Sequence, residues 1–348
     1  MTAPRRFRCP RIDGAGARTA ALLAALWSVP ALAHGPGLEP DEFHFWSAWS
    51  ARPGVALPLL AAIGIYYAGL DRLWRHAGVG RGISRRRAAS FTAGLAVLAI
   101  ALMSPLDALT ASLFWVHMVQ HMLLILAAPP LLVLGAPEVA LLWALPRAWR
   151  RRTGRIENRI ARAIVGPVEG GGAGPVVVAI LATGVLWVWH MPQLYDLAIE
   201  NDAVHTAEHT GFLVTAILFW ATVLRLTARE RLGNGLRILY VFAQALQGSI
   251  LGAVITFAAR PLYDVHAEIP LAWGFDPLVD QQIAGLIMWV PPAVLYLGVS
   301  AYLFVGWLDA VRVRQEAYEA RTFGPPRRVP SEAEARTFGQ LRHGPSEG

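Results

Sequence analysis

The chain has 348 residues, 55% of them hydrophobic and 16% charged, with a mean hydropathy of +0.42. That balance excludes an ordinary soluble domain and fits a protein that crosses a lipid bilayer several times. A formal net charge of +7 would suit nucleic acid, but all 31 basic residues are arginines whose placement follows membrane topology instead, so no nucleic-acid partner is expected.

Residues 1–33 read as a signal peptide. Arg5, Arg6, Arg8, Arg11 and Arg18 make a basic leader, Ala20 to Val29 a short apolar core, and Ala31-Leu32-Ala33 a small-residue cleavage motif. An uncleaved anchor is the alternative. Cys9, the single cysteine, falls in this leader, so a mature chain would carry no thiol. Disulfides, cysteine-zinc sites and cysteine copper relays are then excluded. Cleavage after Ala33 would leave His34 at the terminus, where amine and imidazole can chelate together; the plainer reading is a flexible end. Residues 34–52 form a polar, acidic arm expected in the periplasm.

Apolar runs of spanning length follow near 53–74, 88–105, 109–133, 174–191, 203–225, 236–259 and 280–307. The expected fold is all-α, a polytopic bundle of about seven transmembrane helices over residues 53–310. Pro129-Pro130 is expected to kink or end the third helix. Residues 137–146 read as a short interfacial helix, and 170–174 as a flexible linker. Gly248 and Gly252, four residues apart, would let a neighbouring helix approach closely. The polar stretch 311–348, with Pro325-Pro326, is expected to be a disordered cytoplasmic tail.

The arginines predict an orientation. Six follow the first helix (Arg72 to Arg87), seven follow the third (Arg147 to Arg162), four join the fifth and sixth (Arg225 to Arg237), and seven lie in the tail. The opposite side keeps only Arg52 and Arg260. The positive-inside rule then puts the mature N-terminus outside and the tail in the cytoplasm, as a cleaved leader also requires.

With that orientation, eight of the ten histidines fall in or above the outer leaflet. His117 and His121 lie on the third helix, His205 and His209 open the fifth, and His190 closes the fourth. Each i,i+4 pair shares one helix face, a turn of about 5.4 Å apart, within reach of one ion. Ionisable side chains inside a membrane segment are costly and mark function. Met118 and Met122 flank the first pair. Twelve acids collect on the same side and would draw cations. Imidazole and thioether without thiolate suit copper, with zinc or iron also possible. One pair alone would read as interhelical hydrogen bonding; two pairs plus His190 at one depth favour a metal. Glu208, Gln120, Asp196, Asp280, Gln281 and Gln282 are candidates to support the ligands, or simply to cap helices and join them.

The segments His117-Met-Val-Gln-His121-Met-Leu-Leu124, Trp189-His-Met-Pro-Gln-Leu-Tyr-Asp196, His205-Thr-Ala-Glu-His209 and Asp280-Gln-Gln-Ile-Ala-Gly-Leu-Ile-Met-Trp289 together resemble the caa3-type cytochrome c oxidase assembly factor family, over roughly residues 34–310. The resemblance implies a bacterial inner-membrane protein that assembles a haem–copper oxidase, delivering copper to one of its subunits.

Three readings follow. In the first, the histidine layer binds copper and passes it on, and no reaction is catalysed. In the second, His205-x-x-Glu208-His209 is an inverted zinc-hydrolase motif whose carboxylate activates a metal-bound water. In the third, one histidine from each of the third and fifth helices holds a haem b. Its propionates would need cations on a side where only Arg52 and Arg260 are present.

Overall fold

The structure, a computed structural model, describes residues 44, 47–146, 174–225 and 234–323. The leader 1–33, most of the acidic arm, the linker at 170–173 and the tail from 324 lie outside the described residues. The chain divides into two compact units, Met1–Ala301 and Tyr302–Gly348.

All regular structure among the described residues is helical. Helix α1 spans Pro53–Ala77 and begins with a proline, whose missing N–H costs nothing in a first turn. Helix α2, Arg85–Met103, starts at Ser84, whose Oγ accepts a hydrogen bond from the Arg87 N–H at 3.3 Å. A short α3, Pro105–Leu109, follows. Next come α4 (Phe114–Met122), a π-turn over Leu123–Ala127 and α5 (Ala128–Leu134). Helices α6 (Pro137–Ala144), α7 (Gly174–Trp189), α8 (Pro192–Glu200), α9 (Asp202–Arg225) and α10 (Asn234–Thr256) follow in order. A 3-10 turn (Asp264–His266), α11 (Ile269–Ala272) and α12 (Pro277–Phe323) complete the described chain.

Among the described residues, six segments are long and apolar enough to cross a membrane: Pro53–Ala77, Arg85–Leu109, Phe114–Leu134, Asp202–Leu224, Gly235–Thr256 and Pro277–Thr322. Helices α7 and α8, bent by 73° at the break between them, make a seventh if they count as one crossing. The all-α membrane bundle expected from hydropathy is therefore the observed fold.

The structure corrects two local expectations and adds detail to a third. Pro129 and Pro130 neither end nor sharply break their helix, because a π-turn precedes them. They occupy the first positions of α5, where the absent N–H groups are tolerated. Pro129 and Pro130 have no N–H to give the Ile125 carbonyl, and Trp220 Nε1 donates to it instead, at 2.9 Å. Second, the short helix expected over 137–146 is present as α6 and packs on α1: Pro137, Glu138 and Ala140 are buried, and a Cβ on Gly69 of α1 would collide with the Ala140 backbone. Third, α12 continues to Phe323, so residues 311–323 of the expected disordered tail are helical. Arg312–Glu316 and Gln315–Glu319 pair at i,i+4 there, at 3.0 and 2.9 Å.

Close helix approach does occur near the small-residue pattern on α10, but with a different partner for it. A Cβ on Gly252 would lie 2.9 Å from Trp289 Cβ and 3.1 Å from the Gly285 carbonyl oxygen, whereas Gly248 meets nothing. Gly252 and Gly285 thus let the α10 and α12 backbones touch. Nearby, an apolar cluster joins Phe114 and Met118 of α4, Tyr195 of α8, Leu251 and Ile255 of α10, Tyr263, and Ala284 and Met288 of α12. This cluster seats α4 from one side.

A candidate metal centre

The site is built on α4 and α9. Phe114 and Trp115 open α4, and no side chain at its own start caps them. Asp280, at the beginning of α12, supplies the cap from far along the sequence. Its Oδ2 accepts from the Phe114 N–H at 2.9 Å and its Oδ1 from the Trp115 N–H at 3.0 Å. A carboxylate at a helix N-terminus satisfies orphan donors and complements the helix dipole. Asn201 does the same for α9, its Oδ1 accepting from the Ala203 and Val204 N–H groups at 3.0 and 3.2 Å. These two caps fix the first turns on which the histidines stand.

From α4 come His117 and His121; from α9 come His205, Glu208 and His209, on one helix face at i, i+3 and i+4. One ligand atom from each of His117, His121, Glu208 and His209 can be chosen so that all four lie within 4.8 Å of one another. Glu208, His117 and His121 have no exposed surface, and His209 is 6% exposed. The His121 Nε2 to Glu208 Oε1 distance is 3.7 Å, a contact but too long for a hydrogen bond.

Hydrogen bonding within the group is incomplete in an informative way. Both Glu208 carboxylate oxygens, both His121 nitrogens and His117 Nε2 are buried with no protein partner. Buried polar groups are nearly always satisfied, and an isolated buried carboxylate is costly. Donors of this type converging on one point, held by two capped helices, fit a metal cation.

The remaining sequence candidates divide by role. The His205 ring lies 4.1 Å from His209 and 5.2 Å from His117, beside the four-atom group. His190, at the bend between α7 and α8, has its ring 5.9 Å from that of His121. Its Nδ1 bonds the Leu186 carbonyl at 2.7 Å, and its Nε2 has no protein partner. Met118 belongs to the apolar cluster and Met122 packs against it. Gln120 faces α2 and α3, its Nε2 donating to Ala101 O at 2.7 Å and to Asp107 Oδ1 at 2.9 Å. Asp196 accepts from the Asp264 and Val265 backbone N–H groups and so holds the 3-10 turn. Gln281 accepts from Leu262 N at 2.6 Å and donates to Ile255 O at 3.2 Å, fastening the segment after α10. Gln282 is half-buried.

Two contributors were not picked out from the sequence as site residues. Tyr195, fully buried on α8, places its hydroxyl 3.0 Å from His117 Nδ1 and 3.0 Å from His266 Nε2. His266, read from sequence only as a loop residue, is 4% exposed. Burial pushes its imidazole pKa down to about 3, so the ring is neutral at ordinary pH. Tyr263 completes this layer by donating to the His190 carbonyl at 3.1 Å. Burial likewise raises its phenol above the ordinary value. The signal for α8 was a proline at its first position followed by apolar residues at helical spacing, Leu194, Tyr195 and Ala198.

An uncharacterized protein of Mycobacterium leprae (strain TN) is 25% identical over 290 residues, covering 82% of this chain and 43% of its own length. Uncharacterized proteins of Mycobacterium bovis and Mycobacterium tuberculosis are each 25% identical over 287 residues, covering 76% of this chain and 43% of theirs. The chain thus spans less than half the length of these relatives. No solved structure matches it. The profile described as cytochrome c oxidase caa3 assembly factor matches residues 64–310, which include every residue of the histidine–glutamate group. This chain belongs to the cytochrome c oxidase caa3 assembly factor family.

Proposed function

We propose that the protein binds copper in the group His117, His121, Glu208 and His209 and passes it to a subunit of a haem–copper cytochrome c oxidase during assembly. The observation that carries this reading is the convergence of four ligand atoms within 4.8 Å, several of them buried and unpartnered, in a member of an oxidase assembly family. Copper is the cargo, and His205 and His190 stand beside the group as further imidazoles along its path. A cuprous ion on one carboxylate and three neutral imidazoles leaves the site with no net charge. That is the least costly state in a medium of low dielectric. A divalent ion would leave one net positive charge.

In this reading the histidine-bearing end of the bundle faces the periplasm, the arginine-rich loops face the cytoplasm, and the protein resides in the bacterial inner membrane. The acids at the histidine end concentrate cations there. No turnover is required. The hydrolase alternative is less well supported. It needs His205 and His209 to hold zinc with Glu208 set back to activate water, whereas Glu208 belongs to the four-atom group and His205 stands beside it. The haem alternative is disfavoured by ring packing. His121, His205 and His209 crowd the His117 ring, with centroids 4.3, 5.2 and 6.1 Å from it, which leaves little space for a macrocycle. Arg52, one of the two arginines at that end, is already paired with Asp107 at 2.7 Å.

The test is elemental analysis of protein purified in mild detergent after copper-replete growth, beside a His121→Ala/Glu208→Gln variant. Copper near one equivalent that disappears in the variant is the expected result. Zinc in the same position would favour the hydrolase, and no metal in either preparation would overturn the site. A strain carrying only the variant is expected to accumulate oxidase deficient in copper.

A further inference from the structure

Three buried groups from three separate segments form an unbranched chain: His117 on α4, Tyr195 on α8 and His266 in the 3-10 turn. His117 Nδ1 and His266 Nε2 each lie 3.0 Å from the one Tyr195 hydroxyl. The hydroxyl is held in place by its ring, which meets Phe114 edge-on at 5.2 Å and Tyr263 at 4.4 Å, while His266 stacks on Phe114 at 5.5 Å. Such rings do not re-orient freely.

A hydroxyl has one proton to donate and accepts the other bond. With neutral imidazoles, two arrangements make both hydrogen bonds. In one, His117 Nδ1–H donates to Tyr195 Oη and the Tyr195 O–H donates to His266 Nε2; each imidazole then carries its proton on Nδ1. In the other, His266 Nε2–H donates to Tyr195 Oη and the Tyr195 O–H donates to His117 Nδ1; each imidazole then carries its proton on Nε2. Both arrangements hold the same number of protons and no charge. They differ at the far side of His117. The first leaves a lone pair on Nε2, the nitrogen that has no protein partner. The second covers it with a proton.

We propose that Tyr195 and His266 are positioning residues that lock the tautomer of His117, so that Nε2 presents its lone pair to the ion and the two histidines change tautomer only together. The inference rests on the metal-binding reading above and extends it to two residues outside the ligand group. Outer partners of this kind fix ligand orientation and raise ligand basicity, and their loss commonly costs about 10- to 100-fold in metal affinity. The chain also ties the ligand group to the segment between α10 and α12, which Gln281 fastens through Leu262.

The experiment uses the full chain in detergent, labelled with ¹⁵N-histidine, with Cu(I) alone as the probe; Cu(I) is diamagnetic, so the nitrogen signals stay visible. In the loaded wild type, His117 and His266 are both expected as Nδ1–H tautomers. Tyr195→Phe is expected to lower Cu(I) affinity about 10- to 100-fold in competition with a chromophoric chelator. The same variant should allow the two tautomers to vary independently. His266→Leu should reproduce the loss without touching α8, and His266→Gln should restore affinity, because its amide oxygen can accept the tyrosine proton. Wild-type affinity and unchanged tautomers in both Tyr195→Phe and His266→Leu would overturn the inference while leaving the metal site standing. Failure of the wild type to bind Cu(I) would overturn the two together.

Discussion

Helix α4 carries polar side chains into the bundle in two directions, and the two regions it reaches differ in how their hydrogen bonds close. Toward α2 and α3, Gln120 donates to Ala101 O and Asp107, and Asp107 also accepts from Arg52. Ser104 and Thr110 bond backbone carbonyls nearby, at 2.5 and 2.8 Å. Of these groups only Gln120 Oε1 is a buried atom with no partner. Toward α9, His121 and Glu208 are buried with none of their nitrogens or oxygens hydrogen-bonded to protein. Both regions lie within a few residues of each other on one helix, so depth in the bundle does not separate them. The Gln120 side has the completeness of a network that holds helices together. The His121 side is complementary to a cation that the protein itself does not provide.

That contrast can be broken by mutation, and the largest effect is expected at the ion. Glu208→Gln should remove stoichiometric metal while leaving the melting temperature of the metal-free protein unchanged or higher, because an unpaired buried carboxylate is lost. A fall in that melting temperature would mean that Glu208 is structural. Asp107→Ala should do the reverse. It removes an acceptor shared by Arg52 and Gln120, costs about 3 kcal/mol, and leaves metal content per folded protein intact. Denaturation in mixed micelles with metal analysis of the folded fraction checks both halves. Gly285→Ala places a methyl group 2.7 Å from the Thr256 backbone nitrogen and is expected to cost about 1 to 3 kcal/mol, again without altering metal stoichiometry. The smallest effect, about 1 kcal/mol, is expected from Asp280→Ala, which uncaps α4. It sharpens the comparison, because the first turn of α4 directly precedes His117. Metal affinity by calorimetry should therefore fall several-fold even though Asp280 is outside the ligand group.

Much of this was legible in the sequence because membranes impose simple rules. Length and hydropathy suffice to find spans, and i,i+4 histidines must share a helix face. The meeting of His117 and His121 with Glu208 and His209 follows once α4 and α9 are neighbours, a fact that sequence spacing suggested through matched depth. Asp280 was flagged, with helix capping among its readings, yet the helix it caps was not legible. A cap 166 residues distant from Phe114 has no local signature. The same holds for Tyr195, whose two histidine partners lie 78 and 71 residues away. Pro129-Pro130 was read as a kink or an end, because local sequence shows the steric clash of a proline but not the wider turn beside it. The helical start of the tail was hidden by polarity, although the spacing of Arg312 and Glu316 carried the signal.

The π-turn has a consequence of phase. Each residue advances an α-helix by about 100°, and a wide turn absorbs one residue beyond the regular count. Helices α4 and α5 therefore run as one rod whose two halves are out of step. Before Leu123 the rod presents His117 and His121 toward α9; after Ala127 it packs against α9 and also against α2, with Leu132 against Gly94. Removing a single residue between 123 and 127 would bring the halves into step and force one of them to face the wrong neighbour. The inserted residue acts as a coupling that lets the histidine-bearing surface and a packing surface be set independently on one transmembrane rod.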